Sequence, residues 1–460
     1  MGSSLPICSR RQLLTAASGM GAFLGLRRVL GAPENGAAAT PTLPRFGALR
    51  PDPARILDLP PGFSYRVISR AGDTMHDGLR VPAAHDGMAA FDGGNGRVIL
   101  ICNHELELGD GALGPFAAGG RHPALARCYD DGGGEPCAGG TTTLIYKPST
   151  GKVEKHFLSL AGTERNCAGG PTPWGSWLSC EETVTKPDGK RTRTHGWVFE
   201  VPAAAREPVD PVPLTALGRF NHEAIAVDPA TGILYLTEDT PDSLLYRFLP
   251  SEPGRLDAGG RLQALALPDL KHGDTRNWGD TPEQIEAGHI FAARWIELEN
   301  TDSPDDDLRL RGHAAGAALF ARGEGICHGG DAIYFACTSG GRIGAGQIFR
   351  YRPSASEGRA EESARPATLE LFVESTDRRQ LENCDNLVMA PWGDLIACED
   401  ADAPCALVGI TPAGQMYLLA QNSWSDSELA GACFAPDGRT LFVNAQKAGL
   451  TLAIEGPFPV

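Results

Sequence analysis

The sequence predicts an all-β fold, specifically a six-bladed β-propeller with insertions between the blades. The chain is rich in turn residues, with 57 Gly and 35 Pro, and has few sustained apolar stretches at helical spacing. This composition favours many short strands joined by turns. In addition, one pattern of turn, apolar strand and polar end recurs along the chain, as expected for a fold built from repeated sheets.

The recurring pattern defines the blades in chain order. Its six copies are FDGGNGRVILICNHE, PTPWGSWLSCEET, VDPATGILYLTEDT, GGDAIYFACTSGG, APWGDLIACEDA and APDGRTLFVNAQ. Each copy is preceded by a short strand that starts with polar or glycine residues, and each is followed by another strand with its own turn. Three strands and a less regular outer one make the four-stranded blade of a propeller.

Two segments lie outside the six copies. The segment FSYRVIS, residues 63–69, precedes the first copy and is predicted to join the last blade, so deletion of residues 60–70 should lower stability sharply. The copies are unevenly spaced, and the largest insertion is expected between residues 250 and 320.

Polar residues at the strand ends are predicted to meet at one mouth of the central channel. In an antiparallel hairpin, the start of the innermost strand and the end of its neighbour lie on the same side. The candidate residues are Asn103, Glu105, Cys180, Glu181, Glu182, His222, Glu223, Glu238, Asp239, Glu324, Asp385, Asn386, Glu399 and Asp400. So many acidic groups around one axis predict several bound cations.

For individual residues of this set, purely structural roles remain open. The stretch SWLSCEET, residues 176–183, also fits a buried cysteine followed by a solvated acidic turn. Either of two adjacent strand-end side chains could face the channel. Asp242, His195 and His328 are interpreted as structural residues, and Asp228 and Asp437 as turn residues.

The N-terminus predicts export. In SRRQLLTAASGMGAFLGL, Arg10 and Arg11 precede an uncharged, weakly apolar stretch, a pattern that resembles a twin-arginine signal. Residues 1–39 are interpreted as the signal region, with cleavage expected at residues 37–39, and residues 40–460 as a single propeller domain. The protein is expected in the periplasm or outside the cell, with the twin-arginine export machinery as a partner. A membrane anchor is the alternative, although the stretch is short and glycine-rich for a membrane span.

The net charge of the chain favours some classes of ligand over others. The formal net charge is −16, and it becomes −19 when residues 1–39, with four arginines and one glutamate, are removed. An acidic surface disfavours nucleic acid as a partner. It suits calcium, which prefers oxygen ligands, although solubility alone would also explain it. We expect a monomer.

Cysteine usage is also informative. Only Cys8 of the twelve cysteines lies in the signal region, which leaves eleven, an odd number. Cys128 and Cys137 flank the loop DDGGGEP and are a plausible disulfide pair in an oxidising compartment. If all pairing is internal, one cysteine must stay unpaired or bind a metal. The sequence has no C-x-x-C pattern, which disfavours a zinc ribbon.

Six long motifs extend over most of the chain: NCAGGPTPWGSWLSCEET, FNHEAIAVDPATGILYLTED, ARGEG, GQIFRY, ENCDNLVMAPWGDLIACED and ACFAPDGRTLFVN. Together they resemble the PhoX family of exported alkaline phosphatases. The resemblance implies a six-bladed propeller with two ferric and three calcium ions bridged by an oxo group. It further implies that Cys180 is a thiolate ligand of iron and that Glu182, Glu238 and Glu324 are among the carboxylate ligands. Thiolate suits iron and hard oxygens suit calcium.

The implied activity is hydrolysis of phosphate monoesters. Arg322 and Glu324 are two residues apart in ARGEG, so on a strand they share a face. The carboxylate could bind metal while the guanidinium binds a phosphate oxygen, although Arg322 alone would also fit a surface charge. The chain is shorter than many family members and differs from them around Glu238. A calcium-dependent, lactonase-like hydrolase and a non-catalytic, metal-braced binding propeller are the alternatives.

Overall fold

The computed structural model of the protein describes residues 45–119, 122–401, 404–424 and 427–459, and most of its regular structure is β-strand. The predicted signal region, residues 1–39, lies outside these residues. The strands of the first part are β1 (Leu57–Asp58), β2 (Ser64–Arg70), β3 (His85–Asp92), β4 (Val98–His104), β5 (Gly139–Lys147), β6 (Lys152–Thr163), β7 (Asn166–Pro171), β8 (Ser176–Glu181) and β9 (Val198–Pro202). The next are β10 (His222–Val227), β11 (Leu234–Glu238), β12 (Tyr246–Pro250), β13 (Gly260–Ala266), β14 (Ile290–Glu297), β15 (Gly323–Gly329), β16 (Ala332–Cys337), β17 (Gln347–Arg352) and β18 (Ala367–Glu374).

The last strands are β19 (Cys384–Met389), β20 (Leu395–Glu399), β21 (Ala406–Ile410), β22 (Met416–Asn422), β23 (Leu429–Phe434), β24 (Thr440–Ala445) and β25 (Leu450–Glu455). The α-helix of the described residues is α1 (Leu308–Ala314). Short 3-10 helices span Pro123–Arg127, Pro148–Thr150, Thr215–Leu217, Leu256–Ala258 and Ala360–Ala364. No helix in the described ranges is long and apolar enough to cross a membrane.

The strands form a propeller-like, all-β arrangement. Their backbone hydrogen bonds make five sheets, with the orders β3-β4-β5-β6, β7-β8-β9, β10-β11-β12-β13-β14-β18-β17-β16-β15, β1-β22-β21-β20-β19 and β2-β25-β24-β23. The innermost strands β3, β7, β10, β15, β19 and β23 each contact the next, and β23 returns to β3. Adjacent sheets bury apolar clusters between their faces.

The expectation of separate blades differs from the structure in one sheet. Strand β14 pairs with β13 through Ala266 and Arg294 and also pairs with β18 through Ala293 and Ala367. It therefore joins two four-stranded groups into one nine-stranded sheet. The joining strand lies in the predicted insertion between residues 250 and 320, whose extra backbone groups satisfy their hydrogen bonds on two sheet edges.

The closing strand occurs as predicted. Strand β2 pairs antiparallel with the last strand β25, so that Tyr65 lies opposite Ile454 and Val67 opposite Leu452. This pairing connects a segment early in the described chain to a strand near its end, and it completes the four-stranded sheet that contains β23.

Small residues allow the innermost strands to touch. A Cβ atom added at Gly87 would lie 2.5 Å from Cα of Ala168, and one at Gly325 would lie 2.5 Å from Cα of Asn386. A side chain at either glycine would force neighbouring strands apart. The close approach brings the starts of these strands together, and the candidate site lies there.

Candidate metal centre and active site

Six hairpins of equivalent geometry surround the site. They are β3–β4, β7–β8, β10–β11, β15–β16, β19–β20 and β23–β24, and each first strand has a register shift near its start. In each hairpin the residue after, or at the end of, the second strand donates its N–H to the carbonyl of the residue before the first strand, at 2.9–3.2 Å. Equivalent hairpins therefore place equivalent side chains at one end of the ring.

We name three sets of residues by their place in these hairpins. The entry residues precede the first strand and are Ala84, Arg165, Asn221, Arg322, Asn383 and Glu428. The bulge residues lie two positions later and are Asp86, Cys167, Glu223, Glu324, Asp385 and Ala430. The exit residues donate the N–H just described and are Glu105, Glu182, Asp239, Thr338, Asp400 and Gln446.

Side chains of the three sets converge from different hairpins. Four groups have potential ligand atoms within 4.8 Å of one another: Cys167, Glu182 and Glu223; Glu223, Glu324 and Asp385; Asp385, Asp400 and Glu428; and Asp86, Glu105 and Glu428. Because Glu223, Asp385 and Glu428 each belong to two groups, the four groups form one continuous cluster. We call it the acidic cluster.

The acidic cluster disfavours negative charge on its own members. Burial, followed by the neighbouring carboxylates, raises the pKa of Asp86, Glu223, Glu324 and Glu428 well above the ordinary range. Burial, Glu223 and Glu182 do the same to the pKa of the Cys167 thiol. Bound cations would reverse this balance because they favour the anionic forms.

Two arginines, both entry residues, border the acidic cluster. Arg322 donates from Nε and Nη2 to the two carboxylate oxygens of Asp239 at 2.7 and 2.8 Å and from Nη2 to Glu324 at 2.8 Å. Arg165 lies 2.8 Å from Glu105 and also donates to the carboxylate of Glu182. Arg322 and Glu324, which were expected to share a face, are therefore in contact, and Asp239 is a further partner of Arg322.

The structure brings together seven of the predicted ligands and separates the rest. Those near one another in the acidic cluster or on its arginines are Glu105, Glu182, Glu223, Asp239, Glu324, Asp385 and Asp400. Glu181, Glu238 and Glu399 end their strands one residue earlier, so they point to the opposite face, into the sheets. The predictions for these three residues need correction.

Two of these three acids accept hydrogen bonds from backbone and side-chain donors of nearby loops. Glu181 accepts from Nδ1 of His195 at 2.7 Å and from the N–H groups of Gly196 and Glu164 at 2.9 Å. Glu399 accepts from the backbone N–H groups that belong to Glu382 and Ala406. These acids hold loops to the ends of their strands.

Glu238 is held by a phenol instead. It accepts a 2.8 Å hydrogen bond from the hydroxyl of Tyr246. Burial raises the pKa of Glu238 to about 8, although Arg309 and Tyr246 lower it in part. Its carboxyl group therefore braces its own sheet through Tyr246.

The predicted thiolate, Cys180, is also misplaced. Its side chain is fully buried among Leu178, Val198 and Phe220 and belongs to none of the convergent groups. The thiol that meets the acids is that of Cys167, a bulge residue. Alternation does not separate the two residues, because Cys180 and Glu182 are two positions apart and share a face of β8. Cys180 lies inside β8, whereas Cys167 lies within the register shift at the start of β7, next to the strand ends that carry the acids.

Asn103, His222 and Asn386 serve as braces rather than as members of the four groups. Asn103 donates to the backbone carbonyls of Cys167 and Ala168 at 3.2 and 2.7 Å. His222 contacts the carbonyl of Gly218 at 2.9 Å through Nε2, and burial lowers its pKa to about 3. Asn386 accepts from the N–H of a neighbouring innermost strand and donates to the carboxylate of Asp385 at 3.0 Å.

Sequence reasoning missed Asp86, Arg165, Cys167 and Glu428. A signal was present: aligning the starts of the first strands places Asp86, Cys167, Glu223, Glu324 and Asp385 at the same position. The position falls inside the register shift, where simple alternation of side chains fails.

The predicted disulfide is not formed. Cys128 and Cys137 are both free thiols, as are the other cysteines of the described ranges. Cys137 instead lies in a buried group with Asp130 and His195, whose potential ligand atoms are within 4.8 Å. His195, interpreted from the sequence as a structural residue, bridges Asp130 and Glu181 at 3.3 and 2.7 Å.

A family model and several solved structures are similar to this chain. A family model described as "Alkaline phosphatase PhoX" matches residues 44–152 and 138–449. The structure of Pseudomonas fluorescens PhoX in complex with vanadate, a transition state analogue, is 19% identical, with a TM-score of 0.64 over 87% of this chain and 96% of that chain. A gluconolactonase from Xanthomonas campestris is 12% identical, with a TM-score of 0.40 over 91% of this chain and 99% of that chain. A comparison with curated proteins gave no match.

Proposed function

The chain belongs to the alkaline phosphatase PhoX family and is a phosphoric ester hydrolase, and from this premise we propose that it hydrolyses phosphate monoesters at the acidic cluster with bound metal ions. The observation that carries the proposal is the convergence of buried acids and one thiol from different hairpins, next to Arg322. Water would attack the phosphoryl group, the ester oxygen would leave as an alcohol, and inorganic phosphate would be released.

The donor set fits iron and calcium. Cys167 offers a soft sulfur next to Glu182 and Glu223, a combination that suits ferric iron. The other groups contain only carboxylates, which suit calcium. We therefore propose Cys167, in place of Cys180, as the thiolate ligand, and Glu105, Glu182, Glu223, Asp239, Glu324, Asp385, Asp400, Asp86 and Glu428 as candidates for the carboxylate ligands.

The metal ions, when bound, would withdraw charge from the phosphoryl oxygens and lower the pKa of the attacking water. Arg322 would bind a non-bridging phosphoryl oxygen, because its guanidinium is held bidentately by Asp239 and is 27% exposed. Asp239 and Glu324 fix the direction of the guanidinium, which limits the reorganisation needed when substrate binds.

Further proposals concern the whole chain. We propose that the nine-stranded sheet comprises two blades joined by β14, which makes six blades, since six equivalent inner hairpins support this count. We also propose that residues 1–39 direct export to the periplasm by the twin-arginine route, on the strength of Arg10 and Arg11. The mature protein is proposed to be a monomer.

The test is an assay of the purified, exported protein with 4-nitrophenyl phosphate, together with elemental analysis. We expect hydrolysis that a calcium chelator abolishes, iron and calcium in the protein, and a loss on the order of 100-fold in kcat/KM for Arg322→Gln. Arg350→Gln is the matched control, because Arg350 also pairs with a carboxylate, that of Glu370, but on β17 and β18.

Each alternative predicts a different outcome. Hydrolysis of lactones by a colourless, iron-free protein would replace the proposal with a lactonase. Full iron and calcium occupancy without turnover of any ester would indicate a binding propeller instead.

A further inference from the structure

We propose that Arg165 is a second phosphate-binding residue, which forms with Arg322 a pair of guanidiniums that selects dianionic phosphoryl groups. The ligands are the phosphate monoester substrate and the inorganic phosphate product. The inference rests on the proposed function and extends it to a specificity-determining residue that the sequence motifs did not indicate.

The two arginines occupy equivalent positions in the fold. Both are entry residues, one before β7 and the other before β15, and their φ angles are +51° and +52°. Left-handed backbone is unfavourable for residues with a Cβ atom. Asn383 and Ala84 have φ angles of +51° and +47° at the same position in other hairpins. Four of the six entry residues, with three kinds of side chain, share this conformation, so the backbone does not require arginine at either position.

The contacts of the two guanidiniums are also equivalent. Each reaches the exit residue of the preceding hairpin: Arg165 lies 2.8 Å from Glu105, and Arg322 lies 2.7 Å from Asp239. Arg165 also contacts Glu182.

The two arginines are linked through a pair of carboxyl groups. The carboxyl group of Glu182 is near enough to that of Asp239 to raise its pKa. Since Arg165 contacts the first acid and Arg322 the second, the two guanidiniums are linked through two neighbouring carboxyl groups.

Exposure indicates that an incoming anion would meet the arginines first. The side chains of Arg165 and Arg322 are 23% and 27% exposed, whereas Glu105, Glu182 and Asp239 are 11%, 8% and 9% exposed. A guanidinium carries five N–H donors in a planar fork, so it can bind a phosphate while it retains a carboxylate.

Charge then determines which phosphate ester binds well. A phosphate monoester has a second pKa of about 6 and is a dianion at alkaline pH, with three non-bridging oxygens for two guanidiniums. A diester has one negative charge and two such oxygens. Two arginines should therefore favour monoesters over diesters, whereas one arginine would discriminate less.

The experiment compares Arg165→Asn with wild type in the metal-loaded protein. Asparagine tolerates the left-handed conformation and is the native residue at the equivalent position 383. We measure kcat and KM for 4-nitrophenyl phosphate and for bis(4-nitrophenyl) phosphate, the inhibition constant of inorganic phosphate, phosphate binding by calorimetry, and metal content. Arg350→Gln is the control for the loss of a partly buried ion pair away from the acidic cluster.

We expect the KM of the monoester and the inhibition and dissociation constants of phosphate to rise together, by about tenfold to a hundredfold, with diester hydrolysis changed much less and metal content unchanged. Unchanged phosphate affinity in a variant that retains its metals would overturn the role of Arg165 in phosphate binding and leave the proposed function intact. If wild type binds phosphate but hydrolyses no ester, loss of binding in Arg165→Asn would support that role while the proposed function fails. If wild type neither hydrolyses esters nor binds phosphate, both are overturned.

Discussion

At the scale of single residues, the site depends on which of two buried thiols meets the acids. Cys167 and Cys180 lie on adjacent strands and are both inaccessible to solvent, and burial raises the pKa of both. Both border the same apolar cluster, but Cys167 has Glu182 and Glu223 as neighbours, whereas Cys180 belongs to none of the groups of convergent ligand atoms. Only the first environment gains from a cation, because only there would the thiolate join carboxylates that also need compensation.

We predict that Cys167→Ser removes the visible absorption expected from a thiolate bound to ferric iron and lowers iron content and kcat/KM by about a hundredfold or more. The estimate exceeds the effect of 10- to 100-fold that is typical of groups that only support a ligand. Absorption spectra and elemental analysis of the exported protein provide the measurement.

Cys180→Ser is the matched control. It introduces a hydroxyl into an apolar environment, so it should lower stability by about 1–3 kcal/mol while the colour and the iron content persist. The reverse result, in which the Cys180 variant alone loses colour, would contradict the assignment of Cys167.

At the scale of elements, the inner hairpins and the loops that follow them form separate systems. The hairpins supply the acidic cluster, while the loop of residues 130–138 is held to residues 192–197 by Asp130. This carboxylate accepts from the side chain and N–H of Thr192 at 2.7 and 2.8 Å and from the N–H of Arg193 at 3.0 Å. His195 continues the connection to Glu181, next to the exit residue Glu182.

We predict that Asp130→Asn lowers the free energy of unfolding by about 1–3 kcal/mol at pH 7. Burial alone would raise the pKa of Asp130, but the hydrogen bonds from Thr192, Gly132 and Arg193 lower it to about 2. The folded-state pKa is thus below the ordinary value of 3.8, so the stabilisation by the charged group is present above that value and is lost as the pH falls through about 2. Urea unfolding midpoints at pH 7, 5, 4 and 3 test this, and the difference from wild type should shrink only in the most acidic samples.

Asp131→Asn provides the control in the same loop. Asp131 is exposed and accepts from the N–H of Gly133 at 3.1 Å. Its variant should unfold within about 0.5 kcal/mol of wild type, as is usual for surface substitutions. Equal effects of the two substitutions would contradict a specific role for Asp130.

At the scale of the whole molecule, the ring combines two opposing requirements. The innermost strands must approach closely for the sheets to pack, as Gly87 and Gly325 allow. The same approach concentrates carboxylates from different hairpins within one cluster, and like charges in a buried position destabilise the fold. Bound cations would therefore act as part of the folded structure as well as part of the site.

We predict that a chelator lowers the melting temperature of wild type. We also predict that the effect of Glu223→Gln on stability changes sign when the metals are removed. Glu223 belongs to two convergent groups, so its variant should be less stable than wild type with metals bound. Without metals the variant should be more stable by about 1–4 kcal/mol, because wild type must protonate Glu223, whose pKa is raised by burial and neighbouring carboxylates, whereas glutamine is neutral without that proton uptake. Differential scanning calorimetry with and without chelator measures both states.

Glu252→Gln is the control, because Glu252 is 59% exposed and lies outside the acidic cluster. It should follow wild type in both states. A Glu223 variant that is destabilised equally with and without metals would show that Glu223 acts only as a packing residue.

Several features of the fold could be predicted because they are local in the chain. Turn residues and alternating strands mark the hairpins, and the segment at residues 63–69 has the pattern of a strand that pairs with β25. The joining strand β14 could not be predicted, since its two halves pair with two different strands, β18 and β13, and β18 is distant in sequence.

The candidate site shows the same division. The sequence by itself determined that acids lie at the strand ends and that Arg322 and Glu324 share a face. Only the tertiary structure decided that Glu182 faces the cluster while Glu181 faces the sheet, that Cys167 is the thiol among the acids, and that Arg165 is the counterpart of Arg322. Two physical reasons apply. Adjacent residues at the end of β8 point to opposite faces, so pairing of that strand decides which of Glu181 and Glu182 faces the acids. At the start of each innermost strand a register shift adds one residue, which changes the direction of the side chains there, and pairing with the next strand sets where that residue falls.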